Sequence, residues 1–303
     1  MLIDIHTHAA PRHTAATQLG DKRWFPLPHE LIALMDRARI DKAVLLCLMS
    51  PEWHHGYVTP EEVLEMSALY PHRFIPSCSL DARMGRFDTT SNYGRLLRFY
   101  KEAGCKLVGE YVTNLPFDDP MHRNLFRQVE EIGLPLTFHV GPTRGSCYGV
   151  YDDLGLPRLE KVLKACPKLI LLGHSQPFWA EISRVTEKSR RGYPKGKVRP
   201  GRLVHLMREY PNLWGDLSAG SGFNAISRDP EFGYRFMEEF QDRLLFGTDI
   251  CYVPVNLHKT FGIIKYFRKL RKERLISDEA YEKMAWKNAN RLLKLGLAEA
   301  QKK

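Results

Sequence analysis

The sequence predicts an α/β fold: a closed, TIM-like (β/α)8 barrel with extra helices at its C-terminal end, forming one domain over residues 1–303. Three observations carry this. Eight short β-rich runs recur, at residues 2–6, 42–47, 73–79, 105–110, 134–139, 169–173, 213–216 and 243–246. Segments with helical spacing of apolar residues separate them, and strands that alternate with helices pair in parallel through crossovers. No glycine-rich fingerprint follows the first run, which weakens the open doubly wound sheet as a competitor. Eight such units in about 250 residues match a closed barrel.

The first run, Leu2-Ile3-Asp4-Ile5-His6, already reads as strand, so no secretory leader is expected. Residues 29–39 place Leu31, Ile32, Leu34, Met35 and Ala38 at helical intervals, and residues 120–132 do the same with Leu125, Phe126, Val129 and Ile132. Thr59-Pro60-Glu61-Glu62 is a helix start: a capping hydroxyl, then proline and acids in the first turn. Residues 277–280 and 288–295 read as helices that cap the outside of the barrel. Three connections are long, 9–28, 140–157 and 175–200. Each follows a strand, so each lies on the barrel face where active sites form, and the third is expected to wall or cover the site.

Composition narrows the function classes. Apolar residues make up 44% of the 303, enough for a sizeable core and too many for a disordered chain. No apolar run approaches the roughly 20 residues that cross a bilayer, so no membrane partner is expected. The six cysteines are scattered without a C-x-x-C pair, which suits reduced thiols in a cytoplasmic protein rather than a disulfide framework. Much of the net charge of +10 sits in two basic blocks, residues 188–202 and 265–274, read here as solvated faces. They lack the interleaved aromatics and recognised modules of nucleic-acid binders, so no nucleic-acid partner is expected. The expected partner is a small-molecule substrate, for which an anion would suit the charge; a homodimer is compatible with these features.

The chemistry lies at the strand ends. In Asp4-Ile5-His6-Thr7-His8 the alternation of strand side chains points His6 and His8 the same way, so both can reach one ion at about 2.0–2.1 Å. Leu134-Pro135-Leu136-Thr137-Phe138-His139 is an apolar strand ending in histidine, and Leu169-Ile170-Leu171-Leu172-Gly173-His174 repeats the pattern. Leu244-Leu245-Phe246-Gly247-Thr248-Asp249 ends in a carboxylate. All four polar ends lie where barrels build their sites, and all four carry metal-compatible side chains.

This pattern, H-x-H on the first strand, histidines on the fifth and sixth and aspartate on the eighth, resembles the amidohydrolase superfamily. The segment Leu244–Asp249 and the C-terminal Lys287-Asn288-Ala289-Asn290-Arg291-Leu292-Leu293 resemble its amidohydrolase 2 branch, which contains aminocarboxymuconate-semialdehyde decarboxylase. The resemblance covers nearly the whole chain. It implies a divalent metal, usually zinc, one ion or two. It also implies His6, His8, His139 and Asp249 as ligands, with His174 as a further ligand or a polarising and proton-shuttling residue. Glu110 ends the fourth strand, where many binuclear members carry a bridging group; it either bridges two metals or hydrogen-bonds a ligand histidine. The segment His174-Ser175-Gln176-Pro177-Phe178-Trp179 departs from the glycine-rich stretch that decarboxylase members tend to carry, which favours hydrolysis.

The expectation is therefore a metal-dependent hydrolase acting on a C–N or C–O bond of a small carbonyl compound. The alternative is a zinc-dependent non-oxidative decarboxylase of an unsaturated or aromatic acid. Zinc lowers the pKa of a bound water to about 7. Asp249 would be ligand and base, and His174 would steady a developing oxyanion. Arg12, Arg144, Tyr148, Trp179 and Tyr252, in or beside the long loops, are candidate substrate contacts, the arginines suiting a substrate carboxylate.

Overall fold

The computed structural model describes residues 1–19, 22–53, 57–145, 147–257 and 261–298. Parallel strands form two arcs. One runs β1 (Ile3–Thr7), β2 (Lys42–Leu45), β3 (Phe74–Pro76). The other runs β4 (Val108–Tyr111), β5 (Leu136–Gly141), β7 (Leu171–His174), β8 (Leu213–Asp216) and β9 (Leu244–Leu245), with the short β6 (Val150–Tyr151) pairing only with the end of β5. Backbone hydrogen bonds cross both seams. Between β3 and β4, Cys78 N donates to Leu107 O at 3.0 Å and Gly109 N to Cys78 O at 2.8 Å. Between β9 and β1, Ile5 N donates to Phe246 O at 3.0 Å and Asp249 N to His6 O at 2.9 Å. The ring of eight barrel strands follows the eight runs read from the sequence, for a physical reason. A parallel strand buried on both faces must be a near-continuous apolar run.

Local chemistry sets the helices between them. Pro120–Ile132 begins with proline behind the Asp119 cap, whose carboxylate accepts from Met121 N at 2.8 Å, and ends at Gly133 in the left-handed region. Thr59 caps Pro60–Leu69: its hydroxyl accepts from Glu62 N at 3.2 Å while Glu62 accepts from Thr59 N at 3.0 Å. The π-turn over Lys283–Lys287 and the helix Asn288–Leu293 pack against the β9 and β1 side, where Phe246 N donates to Met284 O, and Asp278–Glu282 packs on the π-turn. No helix among the described residues is long and apolar enough to cross a membrane. All six cysteines are free thiols.

The connection over 175–200 is no bare loop. It holds the helices Gln176–Ala180 and Glu187–Arg190. The first turns back onto the outer face of the sheet, and two glycines make room for it. A Cβ at Gly173 would lie 2.0 Å from the Phe178 ring, and one at Gly215 would lie 2.8 Å from Trp179. One residue of the first basic block is not solvated: Arg190 is 2% exposed, with Nε 2.7 Å from Glu181 Oε1 and Nη1 donating to Asp152 O.

The β9–β1 seam also positions functional groups. Asp4, fully buried, accepts from His6 N at 3.1 Å, Thr248 N at 2.9 Å and Thr248 Oγ1 at 2.5 Å. One carboxylate thereby fixes the strand bearing His6 and His8 against the turn bearing Asp249.

Candidate active site

The C-terminal ends of five strands and the turn after β9 converge on one buried cluster. His6 Nε2 and His8 Nε2 are 3.1 Å apart, and Glu110 Oε2 lies 3.4 Å from His8 and 3.6 Å from His6. Asp249 Oδ1 is 3.7 Å from His6 Nε2 and 3.8 Å from His8 Nε2. Two donors each about 2.1 Å from one ion, at tetrahedral or octahedral angles, lie roughly 3.0–3.4 Å apart. The tightest of these separations match that spacing, and the rest exceed it by a few tenths of an ångström. The other oxygen of Glu110 faces a second group: Oε1 accepts from His139 Nδ1 at 2.8 Å and lies 3.9 Å from His174 Nε2. His6, His8 and Asp249 thus form one metal-compatible set, and Glu110, His139 and His174 another.

Asp216, at the end of β8, was not among the sequence candidates. It is fully buried, and its Oδ2 accepts from His6 Nδ1 at 2.6 Å. That bond orients the His6 ring and turns Nε2 toward His8. The Leu213-Trp214-Gly215-Asp216 run carries the same signal as the strand ends selected above: an apolar strand closed by a carboxylate. Ser218 Oγ orients His174 through Nδ1 at 2.9 Å.

The charges are strongly coupled. Burial disfavours a charged His6, yet the Asp216 and Glu110 carboxylates beside it hold its pKa well above the usual range. Burial, reinforced by the charge on His6, pushes His174 down to about 3, leaving it neutral. Burial opposes ionised Glu110 and Asp216, but His6 holds both below the usual carboxylate range. Burial raises Asp249, partly offset by His6 and His8. No lysine or arginine among the described residues pairs with Glu110, Asp216 or Asp249. Three carboxylates in so enclosed a space are costly without a compensating cation. The donor set and its spacing therefore fit a divalent metal.

The substrate candidates separate. Tyr148 packs on His139, ring centroids 4.8 Å apart. Trp179 does not face the site: it is buried behind β8, and its Nε1 donates to Asp216 O at 2.8 Å. Arg12 and Arg144 are exposed, and among the described residues no hydrogen bond or ion pair joins either to the cluster. Tyr252 is half-buried under Arg23, whose guanidinium lies 5.0 Å from its ring. Two aromatic residues that the sequence did not single out complete a wall: Phe25 lies 5.9 Å from the His8 ring, Trp53 6.1 Å from Phe25, and Tyr148 4.8 Å from Trp53.

Ser175, next to His174, has φ 101° and ψ 167°, a backbone region normally left to glycine. Its hydroxyl accepts from Val140 N at 3.1 Å, tying the His174 turn to the strand that carries His139. The departure from a glycine-rich segment is thus one of residue type, with the glycine-like backbone retained at this position.

Asp216→Ala is expected to weaken metal binding by about 10–100-fold, the usual effect of removing the partner that orients a ligand histidine. Calorimetric titration with Zn2+ or Co2+ measures it; wild-type affinity in a folded variant would show that Asp216 does not orient a ligand.

The profile of the family described as Amidohydrolase matches residues 3–295. No curated protein matches the sequence. Among solved structures, the chain is similar to a 2,6-dihydroxybenzoate decarboxylase from Rhizobium, at 17% identity over 98% of this chain and 99% of that one, TM-score 0.60. It is similar to a dihydroxybenzoic acid decarboxylase from Polaromonas sp. JS666 with bound manganese and the inhibitor 2-nitroresorcinol, at 18% identity over 100% and 99%, TM-score 0.60. It is also similar to a probable 2-pyrone-4,6-dicarboxylic acid hydrolase from Acinetobacter baumannii with citric acid bound, at 16% identity over 97% and 99%, TM-score 0.59.

Proposed function

The chain belongs to the amidohydrolase family, whose members depend on metal, and from that premise we propose that it is a non-oxidative decarboxylase of a small aromatic carboxylic acid. The observation that carries this is the wall of Phe25, Trp53 and Tyr148 between His8 and His139. Flat rings beside a metal-compatible cluster favour a planar substrate. The activities named for the two decarboxylases of like fold support the reading. The sequence favoured hydrolysis because the segment His174-Ser175-Gln176-Pro177-Phe178-Trp179 lacks the glycine-rich stretch that decarboxylases tend to carry, but the glycine-like backbone at Ser175 weakens that objection.

His6, His8, His139 and Asp249 are the residues proposed to hold the metal, zinc or manganese, with Glu110 and His174 in reach of the same or a second ion. Bound there, the ion supplies Lewis acidity for the oxygens of the substrate. The aromatic wall sets the plane of the ring. Asp249 Oδ2 carries the proton and passes it to the ring carbon that bears the carboxylate. The C–C bond then breaks, its electron pair restores the ring, and CO2 leaves. Solvent returns a proton to the Asp249 carboxylate, and neutral His174, its Nε2 4.0 Å from Asp249 Oδ2, lines that path.

The test is to load the protein with Zn2+ or Mn2+ and offer it hydroxybenzoates beside pyrone lactones, esters and amides. Stoichiometric CO2 from a hydroxybenzoate is the expected result. Lactone, ester or amide opening with no CO2 from any acid would return the assignment to hydrolysis.

A further inference from the structure

One guanidinium ties together connections on the catalytic face of the barrel. The Arg83 side chain, in the connection after β3, is 15% exposed. Nη1 and Nη2 donate to the two oxygens of Glu52, in the connection after β2, at 2.5 and 2.7 Å. Nε and Nη2 donate to the two oxygens of Asp81 at 2.8 and 2.6 Å. From the connection after β4, Thr113 Oγ1 donates to Asp81 at 2.8 Å and Asn114 N to Glu52 at 3.5 Å. Asn114 in turn clamps the connection after β5: its amide nitrogen donates to Thr143 O at 3.0 Å and Gly149 O at 2.7 Å, and its oxygen accepts from Gly145 N. Four consecutive βα connections are held by one polar network.

The aromatic wall hangs from the two ends of that network. Trp53 follows Glu52 in the chain, and Tyr148 precedes Gly149. Their rings meet edge to face, centroids 4.8 Å apart at 89°. An aromatic pair is directional, and its worth falls once either backbone shifts. Backbone bonds hold each end, Trp53 N to Ser50 O at 3.0 Å and Gly149 N to Val112 O at 2.6 Å, and the side-chain bonds that join the two ends run through Glu52 and Asn114 to Arg83. Without its charge, Glu52 and Asp81 would face each other as like charges in a largely desolvated space. A lysine would keep the charge but lose the planar fork that serves both carboxylates at once.

We propose that Arg83 is the positioning residue of the aromatic wall, fixing Trp53 against Tyr148 and so setting how tightly the site holds a planar ligand. The ligand class rests on the decarboxylase reading above; the effect on the wall does not. The test uses Arg83→Lys and Arg83→Met in the full chain, each with and without Trp53→Phe, so that the Trp53 fluorescence is obtained by difference. Acrylamide quenching of that component is expected to rise in both variants. Titration with Co2+, which reports the histidine and carboxylate cluster, is expected to stay at the wild-type affinity. The dissociation constant for 2,6-dihydroxybenzoate is expected to rise about tenfold, near the upper worth of an aromatic pair. A merely structural arginine would lower thermal stability and leave the Trp53 quenching of the folded protein unchanged; that result overturns the proposal. Should Arg83→Met fail to fold, Arg83→Lys decides by the same measurement. Wild-type protein that binds Co2+ but no 2,6-dihydroxybenzoate, with quenching as expected, would count against the aromatic-acid reading and leave the role of Arg83 supported.

Discussion

Replacing His6 and His8 together with alanine is expected to abolish stoichiometric metal binding. Their Nε2 atoms, 3.1 Å apart, are the closest nitrogen pair of the cluster, and each also faces Glu110 and Asp249. Removing a residue that only orients a ligand weakens binding by about 10–100-fold, so losing two donors should exceed that range. The two histidines are not equivalent. His6 also pairs with buried Asp216, so its loss strands a carboxylate in the interior and costs stability. The buried His8 Nδ1 has no hydrogen-bond partner among the described residues, which makes His8→Ala the cleaner single variant. Two readouts separate lost binding from lost folding: elemental analysis of the folded fraction, and the rise in melting temperature on adding metal. A ligand at one hundred times its dissociation constant stabilises the native state by about 2.7 kcal/mol. Wild type should show that gain and the double variant none. Stoichiometric metal in the folded double variant would place the metal elsewhere.

The strand ends were legible because barrel geometry forces them into view. An apolar run buried on both faces must stop where the strand meets solvent or a site, and a metal-compatible side chain at that end marks the place. His6, His8, Glu110, His139, His174 and Asp249 all lie at or just beyond the C-terminal end of such a run, and the structure brings them into one cluster. Asp216 does too and was passed over, although it ended a predicted strand; its bond to His6 spans 210 positions and leaves no local trace. Side-chain direction at the loops was less accessible. Trp179 lies five residues beyond His174, but the helix Gln176–Ala180 turns it behind the sheet, into room left by Gly215. Choosing candidates by loop length favoured Arg12 and Arg144, which are exposed, and missed Trp53, whose position depends on Arg83 in another connection. Positive-φ strain at Ser175 is likewise a property of the backbone path, which residue identity alone does not reveal.

Asp249→Asn is expected to lower turnover by at least about 100-fold with the fold intact, the lower bound typical of a proton-transferring side chain. The substitution suits the position. Asp249 has φ 59°, a left-handed conformation that asparagine also adopts readily, so the backbone bond from Asp249 N to His6 O can persist. The neighbouring anchor, Thr248 on Asp4, does not involve the Asp249 side chain. What changes is the charge and the ability to carry a proton. One oxygen of Asp249 faces His6 and His8 while the other lies 4.0 Å from His174. An amide loses one oxygen donor and cannot deliver a proton to a ring carbon. Metal affinity should fall as well, so turnover must be counted per folded, metal-loaded molecule. A structural aspartate would give the opposite pattern, with lower stability and full activity in whatever remains folded. Near-normal turnover on the metal-loaded basis would remove Asp249 from the proton path and leave His174 Nε2 as the group to test next.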